Sequence, residues 1–244
     1  MRTIKLLVLV CVVTGSLIAA GMPAQRVSAR PSAPAVSPRV AAADGATYLP
    51  LAMKGYVSPP PSLWTIIMQE DFEGEPDPAW RLFDNDGATN GTYHWAKRTC
   101  RPYEGAQSGW AVGGGTDGAA LPCGSPYPPN VQSWMIYGPF SLADATAAEM
   151  RFKLWLNSET GHDQFCWMAA ADGVAFNGLC TSGNLGGWID PFLDLSNVRN
   201  YGSMLGDPEV WVAFMFVSSG ELRPGEGAFV DNVVLRKCTL SACP

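Results

Sequence analysis

The chain has 244 residues, 47% of them apolar, and carries 16 basic against 22 acidic side chains for a net charge of −6 at pH 7. Its first 43 residues hold five of the basic side chains and none of the acidic ones, so the remainder of the chain is strongly acidic. That balance opposes phosphate backbones and anionic lipid and excludes nucleic acid as a partner, while it suits divalent cations and basic partners.

In chain order, residues 1–29 read as an export signal: Arg2 and Lys5 precede the apolar run Leu6 to Ala20, and Gly21, Ala24 and Ala29 offer small-residue cleavage sites. The run is short for a span of about 20 residues, so no membrane insertion is expected after cleavage. Cys11 leaves with the signal. The other six cysteines are an even number in an exported chain and contain no Cys-x-x-Cys, which favours disulfides over metal thiolates. Proximity pairs Cys100 with Cys123, Cys166 with Cys180, and Cys238 with Cys243. Residues 30–62 form an Ala/Pro/Ser-rich linker that cannot bury a core, and the folded domain is expected over 63–244. These features predict a secreted protein, extracellular or at the cell surface.

Strands are predicted at Leu63 to Glu73, Trp80 to Phe83, Tyr93 to Lys97, Ser108 to Val112, Ser133 to Phe140, Met150 to Asn157, Asp163 to Ala170, Ala175 to Cys180, Trp188 to Leu195, Val210 to Ser218 and Gly227 to Arg236. Leu142 to Glu149 is the one helical alternative. Alternation sets Met150, Phe152, Leu154 and Leu156 on one face, whereas Val210 to Val217 is apolar on both and belongs in mid-sandwich. If Asp172, Gly173 and Val174 form a three-residue hairpin loop, Cys166 falls opposite Cys180 at bridging distance. The Gly- and Pro-rich stretch Pro102 to Asn130 becomes a surface loop stapled by Cys100 and Cys123. Short strands with turn-rich connections and no long amphipathic helix make the fold all-β, an antiparallel β-sandwich of jelly-roll type.

Asp231 lies in the last strand, where strict alternation puts it on one face with Phe229, Val233 and Leu235; burial there demands hydrogen bonds or a cation. The acidic cluster Glu70-Asp71-Phe72-Glu73-Gly74 ends the first strand and meets Asp231 if the terminal strands are neighbours. Asp71-Phe72-Glu73 with Trp80 downstream, Asp163 leading to Asp172-Gly173, Trp188 with Asp194-Leu195-Ser196, Val210 to Phe216, and Gly227-Ala228-Phe229-Val230-Asp231-Asn232-Val233 come in an order that resembles the MAM-like jelly-roll modules of bacterial exported proteins, including those beside immune-inhibitor-A-like secreted peptidases. The sequence lacks the peptidase part. The resemblance implies a non-catalytic binding or adhesion module with a structural calcium held by Glu73 and Asp231, joined by Asp71 and Asp163. Asn232 replaces the second residue of the usual acidic pair and weakens such a site.

Catalytic signals are sparse. His162 and Asp163 are adjacent and face opposite ways in a strand, His94 lies between two aromatic residues, and neither a His-Glu-x-x-His helix nor a Gly-x-Ser-x-Gly elbow occurs. A glycosidase needs two carboxylates across a cleft, and no spacing among Glu70, Glu73, Glu75, Glu104 and Glu159 singles out a pair. Nine tryptophans favour carbohydrate binding, because an exposed indole covers the apolar face of a sugar ring. Trp95, Trp110, Trp134 and Trp188 lie near turns and are the candidate ligand platforms; Trp155, Trp167 and Trp211 lie within strands and are expected in the core. The chain is therefore expected to bind a glycan or an extracellular protein, the alternatives being a structural envelope protein and a glycoside-active hydrolase.

Overall fold

The computed structural model describes residues 63–221, 225–241 and 243; the expected signal peptide and linker lie outside them. In chain order the elements are β1 (Thr65–Glu70), β2 (Trp80–Asp84), β3 (His94–Arg98), β4 (Ser108–Gly114), the single turn α1 (Gly115–Gly118) and β5 (Gln132–Phe140). They continue with β6 (Ala147–Asn157), β7 (Gln164–Ala170), β8 (Asn177–Thr181), β9 (Phe192–Asp194), β10 (Val210–Val217) and β11 (Gly227–Cys238). Residues 147–149, part of the helical alternative, are strand. One sheet runs β3-β4-β11-β6-β9, with β1 also paired to β11; the other runs β2-β5-β10-β7-β8. All pairings between these strands are antiparallel, and the chain passes repeatedly from one sheet to the other, a jelly-roll sandwich.

The core forms where the alternation demands it. Met150, Phe152, Leu154 and Leu156 of β6 are all buried, facing Phe165 and Trp167 of β7 and Val212, Phe214 and Phe216 of β10. Phe152 meets Phe214 edge-on with ring centroids 4.7 Å apart, and Trp95 closes on Phe165 and Phe214 at 6.1 and 6.2 Å. Aromatic pairs of this kind contribute about 0.5–1.5 kcal/mol each beyond the area they bury.

All three cysteine pairs are joined: Cys100–Cys123, Cys166–Cys180 and Cys238–Cys243, with Cα separations of 5.4, 4.0 and 6.3 Å. Such cross-links fit an oxidising, extracellular setting. The β7–β8 register places Cys166 opposite Cys180 and Ala169 opposite Asn177, as a three-residue loop at 172–174 requires.

The last strand departs from strict alternation. Asp231 pairs with Lys153 and Val234 with Arg151, so β11 spends one more residue than β6 over this interval, and Asn232 takes φ 45° to accommodate it. This bulge switches the faces. Val233 and Leu235 point into the core, whereas Asp231 stays with Phe229 on the outer face, which corrects the expectation that all four share one side. The bulge lies where β4, paired to Phe229 and Val230, gives way along the same edge of β11 to β1, paired from Val233 onward.

Outside the first sheet lies a second apolar layer. Trp110, Phe229 and Trp155 form one cross-strand row, with Trp110 and Phe229 nearly parallel at 5.4 Å. Two arginines roof it: the guanidinium of Arg101, in the stapled loop, sits 3.8 Å from the Trp155 ring centre, and Arg98, at the end of β3, covers Trp110 while donating to the carbonyls of Gly113, Gly118 and Leu121. Trp155 is thus an outward, half-buried residue and not the core residue its strand position predicts.

Candidate functional site

The outer face of the second sheet is apolar where a solvated sheet face ordinarily alternates with polar residues. Register sets Phe83, Trp134, Met215, Cys166 and Cys180 in one row across β2, β5, β10, β7 and β8. The neighbouring row is Arg81, Ile136, Ala213, Met168 and Gly178. On this face Ile136, Ala213, Cys166 and Met168 are buried, while Phe83, Trp134, Met215 and Trp211, the last of them expected in the core, are half-buried along it.

Two adjoining clefts occupy this face. In the first, of about 230 Å³, Trp134 stands between Phe83 of β2, ring centroids 6.3 Å apart and planes 1° from parallel, and Phe176 of the β7–β8 hairpin, 5.6 Å away and tilted by 56°. The second, of about 430 Å³, is lined by Gly138, Pro139, Asp172 and Trp211. Arg81, Gly173 and Val174 border both, so the two form one groove. Trp134 pairs with Met215, four residues from Trp211 on β10, which spaces the two backbone positions about 13 Å apart along the strand direction.

The hairpin tip that walls the groove is held internally. Asp172 accepts backbone hydrogen bonds from Val174 and Ala175, both 2.8 Å, and these bonds hold its carboxyl below the usual range. Gly173 takes φ 66° and rests on Trp211, where an added Cβ would come within 3.1 Å of the indole. Glycine meets both demands at once. At the other end Asn85 is fixed by a side-chain hydrogen bond to Gln132 of 3.2 Å. Arg81, exposed between the clefts, presents guanidinium N–H donors there.

The acids expected to share a calcium are arranged differently. Asp231 is fully buried, and its Oδ2 accepts the backbone N–H groups of Tyr103 and Glu104 at 2.8 and 3.3 Å, while Oδ1 accepts that of Asn232 at 2.8 Å. Burial pushes its carboxyl up, the backbone bonds oppose this, and nearby Glu73 adds to the rise. Glu73 Oε1 accepts the N–H groups of Ala106 and Gln107, both at 2.8 Å, over Gly105, whose positive φ lets the loop close on that carboxylate. Asp71 accepts from the Glu73 N–H and lines an open acidic cleft with Glu73 and Glu104. Asp163 is not part of this group. It precedes β7 in the other sheet, fully buried, and is bonded by the Tyr127 hydroxyl and by the Ser219 N–H. Among the described residues no three His, Cys, Asp or Glu side chains are grouped to hold a metal ion. Asp163 lies apart from the other three, so the four acids do not form one set; of the rest, Asp231 uses both carboxylate oxygens, and Glu73 and Asp71 one each, on backbone N–H groups.

No family model matches the chain, and no curated protein matches it. Among solved structures it is similar to the K1 cleaved adhesin domain of Lys-gingipain from Porphyromonas gingivalis, at 15% identity over 70% of this chain and 97% of that one, with a TM-score of 0.48. It is similar also to TmCBM61, solved in complex with β-1,4-galactotriose, at 10% identity over 68% and 94% with a TM-score of 0.44. A family 11 carbohydrate-binding module from Clostridium thermocellum, solved with a β-1,3-1,4-mixed-linked tetrasaccharide, matches at 13% identity over 70% and 94%, TM-score 0.37. Likeness at this level concerns no more than a β-sandwich; what the chain binds is decided by its own surface.

Of the four tryptophans expected as platforms, Trp95 and Trp110 are fully buried, which corrects their assignment: neither face is open to a ligand. Trp134 lies in the groove. Trp188 is half-buried beside Tyr103 on the first sheet, rings 5.7 Å apart and edge-on, with Lys153 4.3 Å over Tyr103 and ion-paired to Asp190. Phe83, Phe176, Trp211 and Arg81 were not among the expected site residues. The available signal was the two-sided apolarity of β10, which marks either a covered strand or a binding floor.

Proposed function

We propose that the chain is an exported, non-catalytic binding module whose ligand is a glycan laid along the groove on the outer face of the second sheet. The observation that carries this reading is Trp134, held between Phe83 and Phe176 with Arg81 beside it. Parallel aromatic faces suit the apolar faces of sugar rings, and neighbouring guanidinium and amide groups suit their hydroxyls. Two tryptophans whose backbone positions lie about 13 Å apart favour an oligosaccharide over a single sugar. Against catalysis, Asp172 is the one carboxylate among the groove-lining residues, whereas glycoside hydrolysis needs two. We also propose that the Asp231 and Glu73 carboxylates hold loop 101–107 by direct hydrogen bonds, the role that the resemblance assigns to a calcium ion. A glycan-array screen of the full chain beside its Trp134→Ala and Arg81→Ala variants tests the main reading. Hits that both variants lose support it; no hit, or hits unaffected by either variant, rule the groove out.

A further inference from the structure

The outer face of the first sheet carries a cleft of its own. Register sets Arg236, Glu149 and Asp194 in one row across β11, β6 and β9, and pairs Arg151 with Phe192 two residues along. Glu149, Arg151, Phe192 and Asp194, with Trp64 just ahead of β1 and Ser196 just past β9, line a cleft of about 220 Å³. That volume exceeds the roughly 150 Å³ that admits a benzene ring.

The base of the cleft is held by ion pairs. Glu149, 8% exposed, accepts from Arg151 through both of its oxygens, at 2.7 and 3.1 Å, and from Arg236 at 2.8 Å. Burial works against its charge, but these bonds hold its carboxyl below the usual range. With both oxygens engaged it offers a bound sugar no general acid. The same arginines brace the aromatic walls: Arg236 lies 4.5 Å over the Trp64 ring and Arg151 5.1 Å over that of Phe192.

What stays open is both polar and apolar. The Arg151 side chain is half exposed, and three of its five N–H groups have no acceptor among the described residues. Asp194 accepts the Ser196 N–H and hydroxyl on Oδ1, at 2.8 and 2.6 Å, and no donor among the described residues is bonded to its Oδ2. Phe192, 47% exposed, adds open ring surface. Two arginines and two acids cancel, so no net charge draws an anion or a cation. A ring with one apolar face and several hydroxyls uses the donors, the acceptor and the aromatic surface together.

We infer that this cleft is a second sugar site, which takes a single neutral pyranose ring against Phe192 with hydroxyls on Arg151 and Asp194. It shares no residue with the groove and does not depend on the groove reading.

The test follows the Trp64 indole N–H and the Arg151 Nε–H in ¹H–¹⁵N spectra of the full chain. The probes are the methyl β-glycosides of glucose, galactose, mannose, xylose and N-acetylglucosamine. At least one should shift both signals saturably. Methyl β-glucuronide, the same ring with a carboxylate, should bind no tighter than the glucoside. Arg151→Ala should weaken the glycoside about tenfold, the worth of one hydrogen bond to a charged group. Phe192→Ala, which leaves the ion pairs in place, should weaken it similarly. No saturable shift from any of the five, shifts confined to the Trp134 indole, or a glucuronide that binds tenfold tighter than the glucoside would each overturn the inference. The titration of the parent chain decides the matter even if Arg151→Ala fails to fold, and because its signals belong to the cleft, its failure and that of the groove are read separately.

Discussion

The carboxylate of Asp231 accepts the backbone N–H of Tyr103 at 2.8 Å, tying the bulge of the last strand to a loop 128 residues earlier. Glu104 and Asn232 donate to the same side chain, so three backbone donors depend on one buried acid. Asp231→Ala leaves them unpaired and should cost about 3 kcal/mol in urea unfolding, with Asp231→Asn losing less because one acceptor remains. Melting of the parent chain should be the same in calcium and in chelator. A rise with calcium that Asp231→Ala abolishes would put a cation back at this seam.

Trp155 and Phe152 face opposite sides of β6 and should differ accordingly. Phe152→Ala empties the centre of the core and should cost about 4 kcal/mol. Trp155→Ala, half-buried under Arg101, should cost about 2 kcal/mol, part of it through the guanidinium. A double-mutant cycle with Arg101→Ala is expected to give a coupling of about 0.5–1 kcal/mol. Equal losses at the two positions would mean that the stapled loop seals the outer layer as fully as the core.

In the groove, Trp134→Ala should weaken any glycan hit by at least about tenfold, as a central aromatic anchor does, and Arg81→Ala by less. Isothermal titration with the best array ligand measures both. Trp211→Ala should matter for longer oligosaccharides and leave shorter ones unaffected; an equal effect on all lengths would remove the second indole from the groove.

The carboxyl of Asp84 is pushed up to about 6 by burial and by its hydrogen bond with Asp86, while the Tyr93 N–H opposes the rise. Because the folded value lies above the unfolded one, near 3.9, the contribution of Asp84 to stability is complete below that pH and is lost as pH rises through about 6. Asp86, held below its usual range by the same bond, runs the other way. Carboxyl ¹³C titration should therefore find Asp84 titrating near 6, and Asp86→Asn should bring it down. An Asp84 midpoint near 4 in the parent chain would mean that the two carboxyls share no proton.

Mass spectrometry after non-reducing digestion should recover the Cys100–Cys123, Cys166–Cys180 and Cys238–Cys243 peptides. Replacing Cys166 and Cys180 by serine opens a link across 14 residues of sequence and should cost about 2–3 kcal/mol. Free thiols at these positions in the purified parent chain would contradict the hairpin register.

The fold class, the β7–β8 hairpin with its disulfide and the buried face of β6 were legible in the sequence, because each rests on period-two alternation or on a short loop whose length dictates register. Alternation does not say what covers a face. Trp110 and Trp155 lie in strands that alternate equally well, yet Arg98 and the stapled segment leave Trp110 fully buried and Trp155 half-buried, while Trp211 is half-buried where Gly173 of the β7–β8 hairpin rests on it. The bulge at Asn232 leaves the residue types of β11 unchanged while reversing the faces beyond it, so the orientation of Asp231 relative to Val233 and Leu235 was settled only when β11 met β6. The acidic cluster was likewise visible, but its partners are backbone N–H groups of residues 103–107, which carry no side-chain signature. Composition and local pattern determined that this is a disulfide-linked β-sandwich. Long-range pairing decided which aromatic faces remain open and which acids are already satisfied, because those depend on contacts between segments that no local pattern encodes.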